Sequence, residues 1–326
     1  MLSGRTEKEN DKKMTKGRLI GRRLLQMLII LLGVSFITYA LMYLAPGDPV
    51  RIMFAASGTV PSEEVLQETR VSLGLDKTFF IQYFTWLGHL LTGNMGTSIS
   101  MNKPVSSILL SRLWPTVGLA LTSLLFMLVV SVPLGMWAAV KKDQWPDYLV
   151  RGLSFVGISI PNFWLGLILL YLFALKLKLF PVVTSTVTFS SMVLPAVTLA
   201  VAMSAKYTRQ VRTAVLEELG KDYVTGARAR GIPERMILWR HVFPNSALPL
   251  ITLLGLSLGS LLGGTAVVEV IFNYPGLGNL AVAAVTAYDY PLIQGYVLWI
   301  ALIYMIINLV VDLSYERLDP RIREAV

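Results

Sequence analysis

The sequence predicts an all-α membrane protein with six transmembrane helices, on three observations. Of its 326 residues, 54% are hydrophobic and only 15% are charged, whereas an ordinary soluble domain carries about 25% charged residues. Six stretches without a charged residue approach or exceed the ~20 residues that a spanning helix needs. They lack the period-2 alternation of membrane barrels, and lipid cannot satisfy free backbone groups, so we expect helices. The stretches are Leu24–Leu44, Trp114–Val140, Gly152–Leu175, Leu179–Ala205, Val242–Val268 and Tyr290–Val311.

The distribution of basic residues predicts that both termini lie in the cytoplasm. In that orientation the cytoplasmic segments contain 22 of the 29 Lys and Arg residues, and the outer segments contain 7. Cytoplasmic loops of membrane proteins carry such an excess. We therefore assign the net charge of +9 to membrane topology and lipid contact rather than to nucleic acid. The cytoplasmic segments are 1–23, 141–151, 206–241 and 312–326.

The segments between the predicted spans contain short helices but no attached soluble domain. In the outer loop of about residues 45–113, Ser62–Leu73 and Thr78–Leu91 have helical patterns, and Ser62 followed by two Glu is a good N-cap. The uncharged stretch Ile271–Tyr288 contains helix-breaking Asn, Pro and Gly residues, so we expect a re-entrant or surface element there. The expected divisions are a basic cytoplasmic tail (1–23), a single transmembrane domain (24–314) and a cytoplasmic C-terminal tail (315–326).

The residues expected of an enzyme are missing from the sequence. There is no Cys and there are only two His residues, His89 and His241, so disulfides, thiolate chemistry and multi-His metal sites are excluded. No nucleotide-binding P-loop, G-x-S-x-G or H-E-x-x-H motif occurs. The charge-free spans also argue against an intramembrane enzyme and a proton-coupled carrier. We expect no catalytic residue, no metal and no cofactor in this chain.

The cytoplasmic segment 206–241 is too long for a minimal connection between antiparallel helices. Asp222 is expected to cap a short helix, Tyr223–Arg230, that Gly231 ends; Pro233 then fits the first turn of a second helix, Glu234–His241. Two interpretations are open: an anchor on anionic lipid, or a docking surface for a soluble partner. The small residues of the first helix permit close contact and favour docking; they are Gly226, Ala227 and Ala229. The arginines expected to project are Arg228, Arg230, Arg235 and Arg240.

Glu269 stands at the end of the fifth predicted span, directly before a turn-forming segment rich in Asn, Pro and Gly. It could line an outer gate or meet a substrate, or it could accept hydrogen bonds from backbone N–H groups of the following turn, which is the interpretation we favour. The candidate gate residues are Glu269, Asn273, Pro275 and Gly276. Five prolines lie within the predicted spans and are expected to kink them: Pro115, Pro133, Pro161, Pro195 and Pro249.

Several motifs resemble one family of membrane proteins. That family carries a cytoplasmic E-A-A-x3-G-x9-I-x-L-P pattern; here Thr225, Gly226 and Ala227 occupy its first three positions, Gly231 its glycine and Pro244 its final proline. The leading Glu and the I-x-L are not kept, as is common in the peptide and nickel branch, which carries the DY-x3-ARA-x-G text found here. Five further motifs resemble the same branch: APGDPV, GNMGTSI, SIPNFWLG, FNYPGLGNL and LDPRIR. From about Gly21 to Arg323, the chain resembles the permease subunits of bacterial binding-protein-dependent ABC importers, in the dipeptide/oligopeptide/nickel branch.

The resemblance implies a type I ABC importer fold in the bacterial cytoplasmic (inner) membrane. It implies a second homologous permease subunit, two ATP-binding subunits that hold ATP and Mg, and an extracellular solute-binding protein. Cargo would be dipeptides or oligopeptides, with nickel or a metal–chelate complex as the alternative. A stand-alone channel or carrier, and a structural membrane anchor, are more distant alternatives. The residues expected to couple to the ATPases lie in the loop of about 206–245: Asp222, Tyr223, Thr225, Gly226, Ala227, Arg228, Ala229, Gly231 and Pro244.

Overall fold

The computed structural model describes residues 3–56, 58–182 and 186–318, which are mostly helical. The first helices are α1 (Ser3–Leu44), α2 (Pro49–Ala56), α3 (Glu63–Ser72), α4 (Phe79–Leu91), α5 (Val105–Val140), α6 (Trp145–Ser159) and α7 (Asn162–Leu169), which continues as a π-helix over Leu170–Lys176. The others are α8 (Phe189–Leu219), α9 (Asp222–Ala229), α10 (Glu234–Met236), which continues as a π-helix over Ile237–Val242, α11 (Phe243–Gly264), α12 (Ala266–Ile271), α13 (Leu277–Thr286) and α14 (Tyr290–Leu318). Most of the predicted C-terminal tail and the side chain of Pro249 lie outside the described residues.

Four helices of the described residues are long and apolar enough to cross a membrane, or five if the bent pair α6 and α7 counts as one span. They are Gly21–Leu44 within α1, α5, α8, and Tyr290–Val311 within α14. The predicted stretch Val242–Val268 falls on α11 and α12, where several side chains lie outside the described part of the chain. Six spans and cytoplasmic termini therefore remain predictions.

The third predicted span, Gly152–Leu175, is bent by 97° rather than continuous. The break falls between α6 and α7, where Ile160 has φ −82° and ψ 123°. A residue before proline is kept out of the helical region by contact with the proline ring, so Pro161 interrupts the helix completely. Three other prolines lie inside continuous helices: Pro115, Pro133 and Pro195.

The fourth predicted span, Leu179–Ala205, is wrong at both ends. Helix α8 begins only at Phe189, where a capping box fixes its start: Thr188 Oγ1 accepts from Ser191 N at 3.2 Å, and Ser191 Oγ accepts from Thr188 N at 2.9 Å. At the other end α8 continues to Leu219. The charged residues after Ala205 limit the apolar stretch but do not stop a helix, so the first part of the predicted loop 206–241 is helical.

The chain divides into two compact units, residues 1–109 with 284–309 and residues 110–283 with 310–326. In the first unit, aromatic side chains of α1 and α4 pack against each other, and Ser35 Oγ lies 2.9 Å from Tyr83 Oη. The two predicted outer helices are present as α3 and α4, and the predicted cap Ser62 accepts from Val65 N at 3.4 Å. The aromatic pairs join Phe36, Tyr39 and Tyr43 to Phe79, Tyr83 and Trp86.

A buried carboxylate fixes the outer loop to the start of α14 within the first unit. Asp289 Oδ2 accepts from Ser98 Oγ at 2.5 Å, from Ser100 N at 2.9 Å and from Ser100 Oγ at 2.7 Å. Its Oδ1 accepts from Leu292 N at 3.3 Å in the first turn of α14. Burial raises the pKa of Asp289, but these hydrogen bonds outweigh burial and hold the pKa below its ordinary value.

Candidate functional site

The short helix α9 has one buried and one exposed face. Val224 and Ala227 are 0% and 2% exposed and pack into an apolar cluster with Val211, Val215 and Ile237. The predicted helix Tyr223–Arg230 is confirmed to within one residue at each end. Ala227 therefore faces its own chain, whereas the remaining predicted coupling residues of the helix are exposed: Asp222, Tyr223, Thr225, Gly226, Arg228 and Ala229.

The start of α9 differs from the prediction, because Lys221 rather than Asp222 holds the N-cap position, with φ −81° and ψ 150°. Asp222 is the first helical residue, where its negative charge still favours the positive end of the helix dipole. The carboxylate of Glu218 ties the end of α8 to α9: it accepts from Tyr223 Oη at 2.8 Å and forms an ion pair with Lys221.

The end of α9 is a Schellman turn at Gly231, which has φ +74°. Gly231 N donates to Arg228 O at 2.9 Å, and Ile232 N donates to Ala227 O at 3.2 Å, which satisfies two carbonyls at the helix end. Ile232 then packs against the apolar cluster beneath α9. The predicted helix stop at Gly231 is confirmed.

The four predicted arginines of this region are all exposed: Arg228, Arg230, Arg235 and Arg240. Arg228 bridges the turn to Glu234, with Nε 2.6 Å from Oε1 and Nη2 3.3 Å from Oε2. This hydrogen bond lowers the pKa of Glu234. An exposed pair of this kind contributes little stability, so its main effect is to fix the turn geometry. The other three arginines make no ion pair with described residues.

The predicted second helix, Glu234–His241, is not a separate element. Pro233 is the N-cap of α10, which continues through the π-helical segment directly into α11. In that segment Phe243 N donates to Leu238 O, and Asn245 Nδ2 donates to His241 O at 2.8 Å, so the chain accommodates Pro244 without leaving the helix. Arg240 and His241 end the apolar stretch but not the helix.

Glu269 is fully buried and accepts three hydrogen bonds. Its Oε1 accepts from Thr116 Oγ1 at 2.9 Å and Thr265 Oγ1 at 3.1 Å, and its Oε2 accepts from Asn279 N at 2.9 Å. Thr116 Oγ1 in turn accepts from Leu277 N at 2.7 Å. The carboxylate therefore holds the segment between α12 and α13, as the favoured interpretation requires.

The other candidate gate residues differ in how deeply they are buried near this carboxylate. Gly276 is buried, and a Cβ added to it would overlap the Glu269 carboxylate, so the turn requires glycine there. Asn273 is exposed and has φ +46°. Pro275 is half-buried. Helix α13 has only ten residues, which is too short to cross a membrane and agrees with the prediction for Ile271–Tyr288.

A further buried carboxylate, which the sequence did not reveal, joins α6 to α8. Asp147 is 0% exposed and accepts from Arg212 Nε at 2.6 Å, from Arg212 Nη2 at 2.7 Å and from Asp143 N at 3.0 Å. Bidentate pairing of this kind sets the relative geometry of two helices. Because α8 leads directly to α9, this pair positions the candidate coupling helix.

Comparisons with known proteins assign the chain to a family. Residues 131–324 match the family described as "Binding-protein-dependent transport system inner membrane component", and residues 16–120 match "Binding-prot-dependent transport system membrane comp, N-term". The glutathione transport system permease protein GsiC of Salmonella paratyphi A is 37% identical over 302 residues, which cover 93% of this chain and 97% of that protein. GsiC of Escherichia coli K12 is 35% identical with the same coverage.

A solved structure supports the fold. The MetNI methionine ABC transporter in an inward-facing conformation has a chain that aligns with a TM-score of 0.57 and 18% identity, covering 67% of this chain and 100% of that chain. Together with the family matches, this places the protein in the bacterial inner membrane as a subunit of an ABC importer. The chain belongs to the binding-protein-dependent transport system inner membrane component family and is a permease subunit of an ABC importer.

Proposed function

We propose that this permease subunit passes short peptides into the cytoplasm. The observation that carries the proposal is the 37% identity, over 93% of the chain, to a permease named for glutathione, which is itself a short peptide. The motif from Asp222 to Gly231 supports the joint peptide and nickel branch and does not separate the two cargoes. Nickel or a metal–chelate complex is the alternative that the uptake experiment distinguishes.

The proposed importer contains four further components. A homologous permease pairs with this chain, two ATPase subunits bind ATP and Mg, and an extracellular binding protein delivers the cargo. The exposed face of α9 docks on an ATPase subunit, and ATP binding there switches the permease pair between inward- and outward-facing states. Support comes from the way α9 is held: its buried face and the Glu218–Tyr223 bond fix it to α8, while the residues of its other face are exposed.

Uptake in a deletion strain tests the cargo. A strain lacking this gene is complemented with the wild-type chain, and uptake of labelled dipeptide, glutathione and Ni²⁺ is measured in parallel. We expect restored uptake of peptide and no change in Ni²⁺ uptake. Restoration of Ni²⁺ uptake alone would replace the peptide assignment with the nickel alternative.

Purification tests the proposed subunit composition independently of the cargo. A tagged chain extracted in mild detergent should retain two ATP-hydrolysing subunits and a second permease. A chain that transports solute in vesicles without any ATPase would instead be a carrier or a channel.

A further inference from the structure

A cavity of about 780 Å³ opens between α6, α8 and α11. This volume lies within the range of ligand pockets in proteins. Its lining combines two chemistries: the guanidinium groups of three arginines, and apolar side chains from α6 and α11. The arginines are Arg151, Arg209 and Arg212, and the apolar residues are Phe155, Leu250 and Leu253.

The positive charge of the lining is only partly neutralised. Arg212 forms an ion pair with the buried Asp147. The Arg151 guanidinium lies 3.7 Å from the same carboxylate and 4.8 Å from the centre of the Tyr148 ring. Arg209 is exposed and makes no ion pair or hydrogen bond with the described residues. Glu217 contributes one negative charge to the lining. The cavity therefore keeps an excess of positive charge.

Aromatic residues near the cavity indicate that it lies close to the depth of lipid headgroups. Trp137 and Trp145 are in edge-to-face contact at 5.7 Å, and Trp145 is 68% exposed at the first residue of α6. Tyr148, which lines the cavity, is also exposed. Exposed Trp and Tyr residues at the ends of apolar helices mark the membrane–water interface.

We propose that this cavity binds an anionic phospholipid through its headgroup. The phosphate lies against Arg151 and Arg209. The upper part of an acyl chain covers the apolar wall, which a free phosphate ion would leave exposed to water. Phosphatidylglycerol supplies the negative charge and the acyl chain together. The proposal does not depend on the identity of the cargo.

Native mass spectrometry of the assembled importer tests the proposal. The complex is released from detergent in the presence of dioleoylphosphatidylglycerol, dioleoylphosphatidylcholine, or dioleoylphosphatidylglycerol with excess inorganic phosphate. We expect selective retention of phosphatidylglycerol that inorganic phosphate does not displace. One arginine near a membrane surface contributes about 1 kcal/mol to the free energy of binding anionic lipid. Arg209→Gln should therefore weaken phosphatidylglycerol binding about five-fold.

Arg240→Gln is the matched control, because it removes the same exposed charge outside the cavity. It should leave lipid retention unchanged, and Arg209→Lys should retain most of the binding. Since Arg209 has no partner among the described residues, its replacement should not affect folding, which thermal unfolding verifies. Equal retention of the two lipids, equal effects of Arg209→Gln and Arg240→Gln, or displacement by inorganic phosphate would each overturn the proposal.

Discussion

Gly231 occupies a backbone conformation that a β-branched residue adopts only with strain, since its φ is +74°. Gly231→Val would place about 1–2 kcal/mol of strain in the turn that ends α9 and would disturb the position of its exposed face. We expect Gly231→Val to abolish uptake while the amount of protein in the membrane stays normal. Labelled-peptide uptake and immunoblots of the membrane fraction measure the two effects.

Gly93→Val provides the control for backbone strain. Gly93 also has a positive φ, +83°, and a Cβ there would meet nothing within 4 Å. It lies in the predicted outer loop and not in the predicted coupling loop of about 206–245, so the variant should keep most of its uptake. Wild-type uptake by Gly231→Val would contradict the coupling role of this turn.

Thr116 is a residue whose role only the structure reveals. Its hydroxyl donates to Glu269 and accepts from Leu277 N, so Thr116→Val leaves a buried N–H group without a partner. We expect a loss of about 1–3 kcal/mol in the free energy of unfolding. Thr198→Val is the matched control, because Thr198 is equally buried but donates only to Leu194 O within its own helix. Equal destabilisation in denaturant unfolding would argue against the Glu269 network.

Asp289 gives the outer loop a stability contribution that depends on pH. Its pKa is lowered in the folded state, so the contribution is fully present above the unfolded pKa of about 3.9 and is lost as the pH falls through the folded pKa. Asp289→Asn should lower the unfolding temperature at neutral pH. The difference in unfolding temperature between the variant and wild type should become smaller in acid. Circular dichroism of both proteins across a pH series measures this; a difference independent of pH would refute it.

At the scale of helices, the Asp147–Arg212 pair joins α6 to α8. Arg212→Gln leaves the buried carboxylate of Asp147 without its main partner, which should cost about 3–5 kcal/mol. The double variant Asp147→Asn with Arg212→Gln removes the uncompensated charge and should recover most of that loss. A double-mutant cycle of unfolding free energies gives the coupling. Additive losses would show that the pair does not act as a unit.

Local signals made several helices predictable from the sequence. The Ser62 cap and the acidic first turn locate α3, and Gly231 locates the end of α9. Long charge-free stretches locate the apolar half of α1 and most of α5 and α14. Charge, however, marks where an apolar stretch stops and not where a helix stops, so the ends of α8 and the continuity of α10 with α11 were predicted wrongly.

The contacts that fix the helices were beyond sequence reasoning, because their partners are far apart in the chain. Thr116 and Glu269 are 153 residues apart, Ser98 and Asp289 are 191 apart, and Asp147 and Arg212 are 65 apart. No spacing or composition rule links such pairs. For the candidate site, the sequence located α9 but not its orientation, so Ala227 was expected to take part in docking although it faces inward.

At the scale of the whole molecule, the absence of Cys allows a direct test of topology. Single cysteines introduced at the exposed positions Ser72 and Lys142 should report opposite sides of the membrane. We expect an impermeant maleimide to label Ser72→Cys in intact spheroplasts and Lys142→Cys only after permeabilisation. The reverse pattern would place α9 outside the cell and remove its access to ATPases.

The unbroken run from Glu234 to Gly264 limits where the molecule can flex. A helical rod of this length spans about 45 Å at ~1.5 Å per residue, which is enough to traverse a bilayer. The run bends most readily at the π-helical segment Ile237–Val242 and at Pro244 and Pro249, because these interrupt the regular hydrogen-bond ladder. A displacement at the α9 end would therefore be taken up in that half, and the stretch from Leu250 to Gly264 would move as one lever arm.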